Sequence, residues 1–381
     1  MKKNLLLIAI GFLPNIGGLE THLKDLTDEL IKHDWKVMVL TYQPLNTPVL
    51  SKWIERKRNL TIFRLPVLRG WYYKLLKYPI LEFLYLGPLL FLFTPLVLLK
   101  YPDVKTVNAQ GMIAGFSAAF WTRLFNKRYV VSAQSVYNFP KKGLYRKVSQ
   151  WIFNSADKII AISNHSKKDI QTLDVNGDKV VIYTNWEDLN KYKLIDKDKA
   201  KKKIGHESRF TVSFFGRLVE EKGILVLLDA IKSINDRITF LIYGEGPLKK
   251  QILRIIKNMT NTYYMGTIQF EELNLHYAAA DLVIMPSLHE EGFGRVASGA
   301  LLSGTPVIVS NKGALPEVVD DSVGRIINPT PKNIADTIEF FYSHREQLKK
   351  RALNARRYAM RKFSNKNAEV IIRTYLPASE F

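Results

Sequence analysis

The 381-residue chain has no cysteine. Disulfides and thiolate metal sites are therefore excluded, and a reducing compartment is allowed. The chain is also short of acids. Its 35 Asp and Glu face 56 Lys and Arg, a formal net charge of +21, and about two-thirds of that excess lies before residue 150. Such a balance suits nucleic acid, an anionic membrane surface or phosphorylated substrates, as well as a merely solvated lysine-rich surface. No helix-turn-helix, zinc-finger or RNP-type pattern accompanies the charge, so no nucleic-acid partner is expected. Short repeats and low-complexity tracts are lacking too. The opening "MKKNLLLIAIGFLP" has too short an apolar run for a secretory signal, and no clear small-x-small site follows. It reads instead as a first strand, Asn4 to Ile10, apolar on both faces as in a parallel sheet.

What is present is regular alternation. Hydrophobic residues make up 47% and charged residues 24%, a globular mix long enough for two cores. Strand-like runs "NLLLIAI", "KVMVLTY", "LTIFRLP", "VKTVNAQ", "RYVVSAQ", "KIIAIS" and "KVVIYTN" occupy the first half. Between the first two, Leu19, Leu23, Leu26 and Leu30 share one helical face. Residues 186–208 are polar and lysine-rich and read as a linker with a short helix. Alternation then restarts with "FTVSFFG", "ITFLIYG", "TYYMG", "DLVIMPS", "TPVIVSN" and "GRIINP". The pattern predicts an α/β protein of two doubly wound, Rossmann-like domains facing a cleft, with ligands beyond the carboxyl ends of strands. The expected boundaries are 1–188 and 189–363, with 364–381 a closing helix or tail returning to the first domain.

One segment departs from this pattern. Within 71–100, Phe83 to Leu99 carries no charge. As a helix it rises only about 26 Å, the lower limit for a membrane span, and Pro88 and Pro95 are expected to interrupt it. A core helix, a membrane-docking surface and a span all stay open. The aromatic "WYYKLLKY" before it and the basic first half keep docking in view.

Three loops could carry chemistry. In "FFGRLVEEKG", Gly216 ends a strand, and Arg217 and Lys222 follow beside a helix start, a site for a diphosphate. Local pairing of Arg217 and solvation of Lys222 is the plainer alternative. In "HEEGFGR", Glu290 and Glu291 precede Phe293, Gly294 and Arg295. A carboxylate there can accept hydrogen bonds from sugar hydroxyls, and Gly292 and Gly294 let backbone amides approach a ligand. Helix capping by the two acids is the alternative. In "PNIGGLETHL", Gly17 and Gly18 join the first strand to the first helix. Neither this loop nor "YGEGP" matches the GxGxxG dinucleotide pattern. His22, His165 and His289 have no ligand-like spacing, so no metal site is expected. Ser163 reads as a helix start.

Taken together and in order, "GGLETHL", "IAISNHSKKDI", "FFGRLVEEKGILVLLDAI", "YGEGPLKKQI", "EEGFGR" and "SGTPVIVSNKGALPEVV" resemble family 4 glycosyltransferases of the GT-B fold, over most of the chain. The resemblance implies retaining transfer from a nucleotide-activated sugar, and a UDP- or GDP-sugar rather than an ADP-sugar is expected. It implies no other cofactor and no metal. It makes Arg217 and Lys222 the groups that stabilise the leaving diphosphate and Glu291 the group that holds sugar hydroxyls, with no general base. Gly17, Gly18, Gly216, Glu290, Phe293, Gly294 and Arg295 belong to the donor site, as do Thr267 and Ile268 after "YMG". Gln134 positions the sugar or acceptor, and Glu317 matches a further family position. A lipid-linked or surface-glycan acceptor and a peripheral place on the cytoplasmic membrane face follow from the basic, apolar first half.

The match breaks in three places. The family's second acid, eight residues after the first, falls on Gly299; counted from Glu290 it falls on Ser298. Either another segment, Ser298 or water takes its ribose contact, or the donor site is weakened. That leaves a non-catalytic binding protein on the same scaffold as the alternative. Gln134 replaces a frequent histidine, which removes acid–base chemistry but not hydrogen bonding. "TNWED" replaces Asn-Gly-Val-Asp and is assigned no chemistry.

Overall fold

The structure is a computed structural model and describes residues 3–15, 17–45, 47, 49–68, 78–134, 136–206 and 209–377. It divides into two compact units, Met1–Asn185 with Asn365–Phe381, and Trp186–Ser364.

The first unit is built on β1 (Asn4–Ile8), α1 (Gly18–Lys32), β2 (Lys36–Tyr42), β3 (Ile54–Lys57), β4 (Leu60–Leu65), α2 (Pro79–Lys100), β5 (Thr106–Gln110), α3 (Gly111–Leu124), β6 (Arg128–Ala133), α4 (Leu144–Asn154), β7 (Lys158–Ala161), α5 (Asn164–Gln171) and β8 (Val180–Ile182). Its eight strands lie in the order β3-β4-β2-β1-β5-β6-β7-β8. All pairs are parallel except β3 with β4. All seven runs read as strands form strands; β1 is buried along its whole length, as a parallel central strand must be. The edge strand β3, "IERK", is polar and largely exposed, so no hydrophobic pattern announced it. Leu23, Leu26 and Leu30 of α1 are buried against the sheet, while Leu19 is half-buried. Ser163 caps α5, accepting from the Ser166 amide at 3.0 Å.

The second unit continues with α6 (Lys197–Lys203), β9 (Phe210–Phe215), α7 (Ile224–Ile231), β10 (Ile238–Tyr243), α8 (Lys249–Ile256), β11 (Thr262–Gly266), α9 (Leu273–Ala278), β12 (Leu282–Met285), α10 (Arg295–Leu302), β13 (Val307–Ser310), α11 (Leu315–Val318), β14 (Gly324–Ile327), α12 (Pro331–Ser343) and α13 (Arg345–Lys362). Its strand order is β11-β10-β9-β12-β13-β14, all parallel. The chain runs outward one way from β9 and then the other way from β12. The crevice beyond the carboxyl ends of those two neighbours is therefore the switch point where ligands bind in doubly wound sheets. The lysine-rich linker is pinned to this sheet: Lys201 Nζ lies 2.5 Å and Lys197 Nζ 3.0 Å from the Asp281 carboxylate, which also accepts from the Thr211 amide. The closing helix α14 (Lys366–Thr374) belongs to the first unit. Beyond it, Thr106 donates to the Tyr375 carbonyl at 2.9 Å and Tyr375 Oη donates to Asn108 Oδ1 at 3.1 Å.

The expected interruption at Pro88 and Pro95 does not occur; α2 is one 22-residue helix running through both prolines. A helical proline leaves the carbonyl four residues earlier without its amide partner. For Pro95 that carbonyl is Phe91, and Trp121 Nε1 of α3 donates to it at 2.8 Å. Thr94 Oγ1 bonds back to Leu90 O at 2.7 Å and accepts from Ser117 at 2.8 Å. Tertiary hydrogen bonds thus replace the lost helical one. Trp121→Phe should remove the donor and leave the carbonyl unmet. It should lower the unfolding free energy of the first unit by about 1–3 kcal/mol, read by urea titration; an unchanged midpoint would show that the carbonyl finds another partner.

Candidate active site

The second unit's switch point is assembled from two loops. After β9, Gly216 donates to Tyr243 O at 3.1 Å, and the exposed Arg217 follows. Arg217 makes no ion pair with any described residue, so the local pairing considered from sequence is not what it does. A short 3₁₀ turn, Glu220–Lys222, ends at Gly223 with φ 71°. A side chain at Gly223 would meet the Pro286 carbonyl, so the loop after β12 packs directly on this turn. The Glu221 carbonyl fastens the two loops, accepting from the Leu288 amide at 2.8 Å with His289 Nδ1 at 3.0 Å.

That contact brings Lys222 to Glu291, Nζ to Oε1 at 2.5 Å. Ser287 Oγ donates to the same oxygen at 2.6 Å, and His289 Nε2 lies 3.7 Å from the other. Burial works against the charged carboxyl. Lys222 beside it outweighs burial, helped by the Ser287 hydrogen bond and His289, and holds Glu291 below the ordinary carboxylate range. One donor of the Lys222 ammonium is spent on this pair; an ammonium has three. Gly294, at φ 107°, precedes α10, and a side chain there would strike Leu315. The N-cap residue of α10 is Gly294, which has no side chain to cap with. Glu290 accepts from the Gly313 amide, and Glu291 faces Lys222. Phe293 is buried edge-on to Phe363, ring centres 5.6 Å apart. Thr267 and Ile268 follow the end of β11 at Gly266.

Gly299 has a spatial explanation. A Cβ there would sit 2.8 Å from Tyr277 Cε2 and 3.1 Å from Tyr192 Oη. Both rings are buried, and Tyr277 is wedged against Phe215 at 4.6 Å. The aromatic rings occupy the space a larger residue needs. A carboxylate nonetheless reaches this turn of α10 from elsewhere. Glu187, in the stretch given no chemistry from sequence, is 3% exposed. It accepts from Ser298 Oγ at 2.8 Å and from Arg295 Nη1 at 3.3 Å. The signal was an acid where the family often has valine, visible in the sequence but unread without the fold.

In the first unit, Gly17 and Gly18 open α1 beyond β1, with the Glu20 carboxylate lying against Gly17. Burial pushes the Glu20 carboxyl up, though a backbone hydrogen bond opposes it. Gln134, just past β6, accepts from Tyr183 Oη at 2.8 Å and donates to Gln110 Oε1 at 3.1 Å. His22 Nε2 lies 3.3 Å from the same Tyr183 hydroxyl. Gln134 is thus held by a polar chain at the ends of β5 and β6, with α1 joined to it through His22. Glu317 sits in the first turn of α11. Among the described residues no three His, Asp or Glu side chains gather as metal ligands.

Two parallel doubly wound units, one carrying a lysine–carboxylate pair at its switch point, define a GT-B glycosyltransferase. Residues 16–191 match the model of Glycosyltransferase Family 4 and residues 196–358 that of Glycosyl transferases group 1, and the chain belongs to this family. It is similar to an uncharacterised glycosyltransferase of Methanocaldococcus jannaschii, 25% identical over 352 residues, 86% of each chain. Among solved structures it resembles a sucrose-phosphate synthase of Thermosynechococcus elongatus (TM-score 0.82, 19% identity, 98% of each chain). It also resembles the HepE protein of Anabaena in complex with UDP (TM-score 0.76, 20% identity, 98% of this chain and 99% of that one).

Two measurements check this geometry. Because the Glu291 carboxyl lies below its ordinary value of 4.5 in the folded state, its stabilisation is full above that value and is lost as pH falls through the depressed one. Glu291→Gln should therefore lose less stability than wild type on going from neutral to acid pH; parallel pH curves would contradict the assignment. Gly299→Ala should lower stability by about 1–3 kcal/mol by forcing the buried tyrosines apart. A gain, as expected from helix propensity alone, would contradict the packing.

Proposed function

We propose that this glycosyltransferase moves a sugar, with retention of its anomeric configuration and without a metal ion, from a UDP- or GDP-sugar to a lipid-linked or surface-glycan acceptor. The observation that carries the reading is the meeting of Lys222, Glu291 and the start of α10 at one switch point, with Arg217 exposed on the adjoining loop. UDP bound by a protein of the same fold supports a uridine donor.

In this reading the bond between the anomeric carbon and the diphosphate oxygen breaks while the acceptor oxygen bonds to that carbon on the same face. The acceptor proton passes to the departing diphosphate oxygen, and no enzyme base is needed. Arg217, the remaining Lys222 donors and the amides at the start of α10 stabilise the charge on that oxygen. Glu291, kept ionised by Lys222, accepts from donor-sugar hydroxyls. Glu187 takes the part of the carboxylate missing at Gly299, either at the ribose or by orienting Arg295 and Ser298. Gln134 positions the acceptor or sugar, and Gly17 and Gly18 let backbone approach the donor.

Thermal-shift screening against UDP, GDP, ADP and their sugars tests donor class, since a ligand that prefers the native state raises the melting temperature. Arg217→Ala should leave folding intact and lower kcat by about 100-fold or more. Glu187→Gln should raise the donor KM by roughly tenfold with a smaller effect on kcat. A wild-type protein that neither binds nor turns over any nucleotide sugar would return the chain to the alternative, a binding protein on a glycosyltransferase scaffold.

A further inference from the structure

Helix α2 lacks a polar face. Its inner side enters the first unit's core through Leu86, Leu90, Val97 and Leu98. Its outer side is a stripe at helical spacing, Leu81, Leu84, Pro88, Leu92, Leu96 and Leu99, all exposed. Leu84, Leu92 and Leu96 are 62%, 59% and 55% exposed. A helix on a water-facing surface ordinarily turns polar residues outward, and a contiguous apolar patch of this kind marks an interaction site. The patch continues onto α3 through exposed Phe120, whose ring lies 5.2 Å from Phe91.

Its surroundings are cationic. From the start of α2 to the end of α4, residues 79–154, the sequence holds nine Lys and Arg and two acids, Glu82 and Asp103. Arg123 and Lys147 line one surface cavity together with Trp151, whose ring packs on Phe116 of α3 at 5.5 Å. Leucine on the outer face, tryptophan at the border and cations around it are the composition of a segment that lies in a membrane interface. The helix is long and apolar enough to cross a membrane, with 28% of its most apolar stretch buried, but its inner side is hydrogen-bonded to α3 through Phe91, Thr94, Ser117 and Trp121, which favours lying on a surface over spanning.

We infer that the α2–α3–α4 face docks onto an anionic lipid surface, with the leucine stripe entering the acyl boundary and Arg123 and Lys147 contacting headgroups. The inference does not depend on nucleotide binding. The full chain should co-sediment with vesicles of phosphatidylcholine and phosphatidylglycerol at low salt, and far less with phosphatidylcholine alone. Leu92→Glu with Leu96→Glu should weaken that binding at least about tenfold at an unchanged melting temperature. Arg123→Glu with Lys147→Glu should remove the preference for anionic vesicles. Wild-type protein that pellets no more with anionic vesicles than without them would overturn the inference, as would leucine variants that pellet like wild type. So would sedimentation velocity showing a dimer that the leucine variants convert to monomer, since a second copy would then cover the stripe.

Discussion

The pairing of Lys222 with Glu291 is the constraint on which the site's architecture rests. Both groups lie mostly out of water, with side chains 20% and 11% exposed. Withdrawing each ion from solvent costs several kcal/mol, and attraction between them offsets this only with further hydrogen bonds. Ser287 supplies one, and His289 Nε2 lies 3.7 Å from the other carboxylate oxygen, both from the loop after β12. The pair can form because β9 and β12 are neighbours, so that loops more than sixty residues apart in sequence leave the sheet side by side. Gly223 must then be glycine because Pro286 leaves no room. Topology, loop packing and the buried charges are one arrangement, and an apolar contact in the same place would satisfy the packing without presenting an ammonium to a diphosphate.

The same reasoning accounts for the displaced carboxylate. What a polyol ligand needs is an acceptor at a place in space, not at a position in a motif. At Gly299 that place is filled by Tyr192 and Tyr277. On the same turn of α10, Ser298 and Arg295 hold Glu187. An unpaired carboxylate so deeply buried would be costly; this one has a hydroxyl and a guanidinium. The charge also reaches Tyr277, whose hydroxyl proton is held more tightly, chiefly by burial and then by Glu187. Aromatic filling and the acid are thus coupled, and a sequence carrying Gly299 is compatible with a charged site at this turn.

Strand identity was legible almost throughout, because buried parallel strands are unbroken apolar runs and the helices between them are amphipathic. The exception, β3, is an edge strand paired on one side, where polar residues cost nothing and the hydrophobic signal disappears. Of the site, the loops carrying Arg217, Lys222, Glu290 and Glu291 could be placed from spacing alone. Their mutual contacts could not be. Nothing local says that Glu290 turns to the Gly313 amide while Glu291 turns to Lys222, since that follows from which loops pack together. Glu187 was invisible for the same reason: its partners lie more than a hundred residues away.

Helix α2 shows how far context overrides local rule. Two prolines and an uncharged run argue, residue by residue, against a regular water-soluble helix. The fold supplies from α3 the hydrogen bond that meets the carbonyl freed by Pro95, and it buries the inner side of the helix in the core. The outward leucines stay exposed. Apolar side chains that are neither buried nor needed for packing carry a standing cost in water, since burial would stabilise each by about 1.5–3 kcal/mol. Pro88 lies on the outward stripe, exposed with the leucines. A face so depleted of polar groups, bordered by cations rather than acids, is matched in solvation to the boundary of an anionic bilayer and not to bulk water.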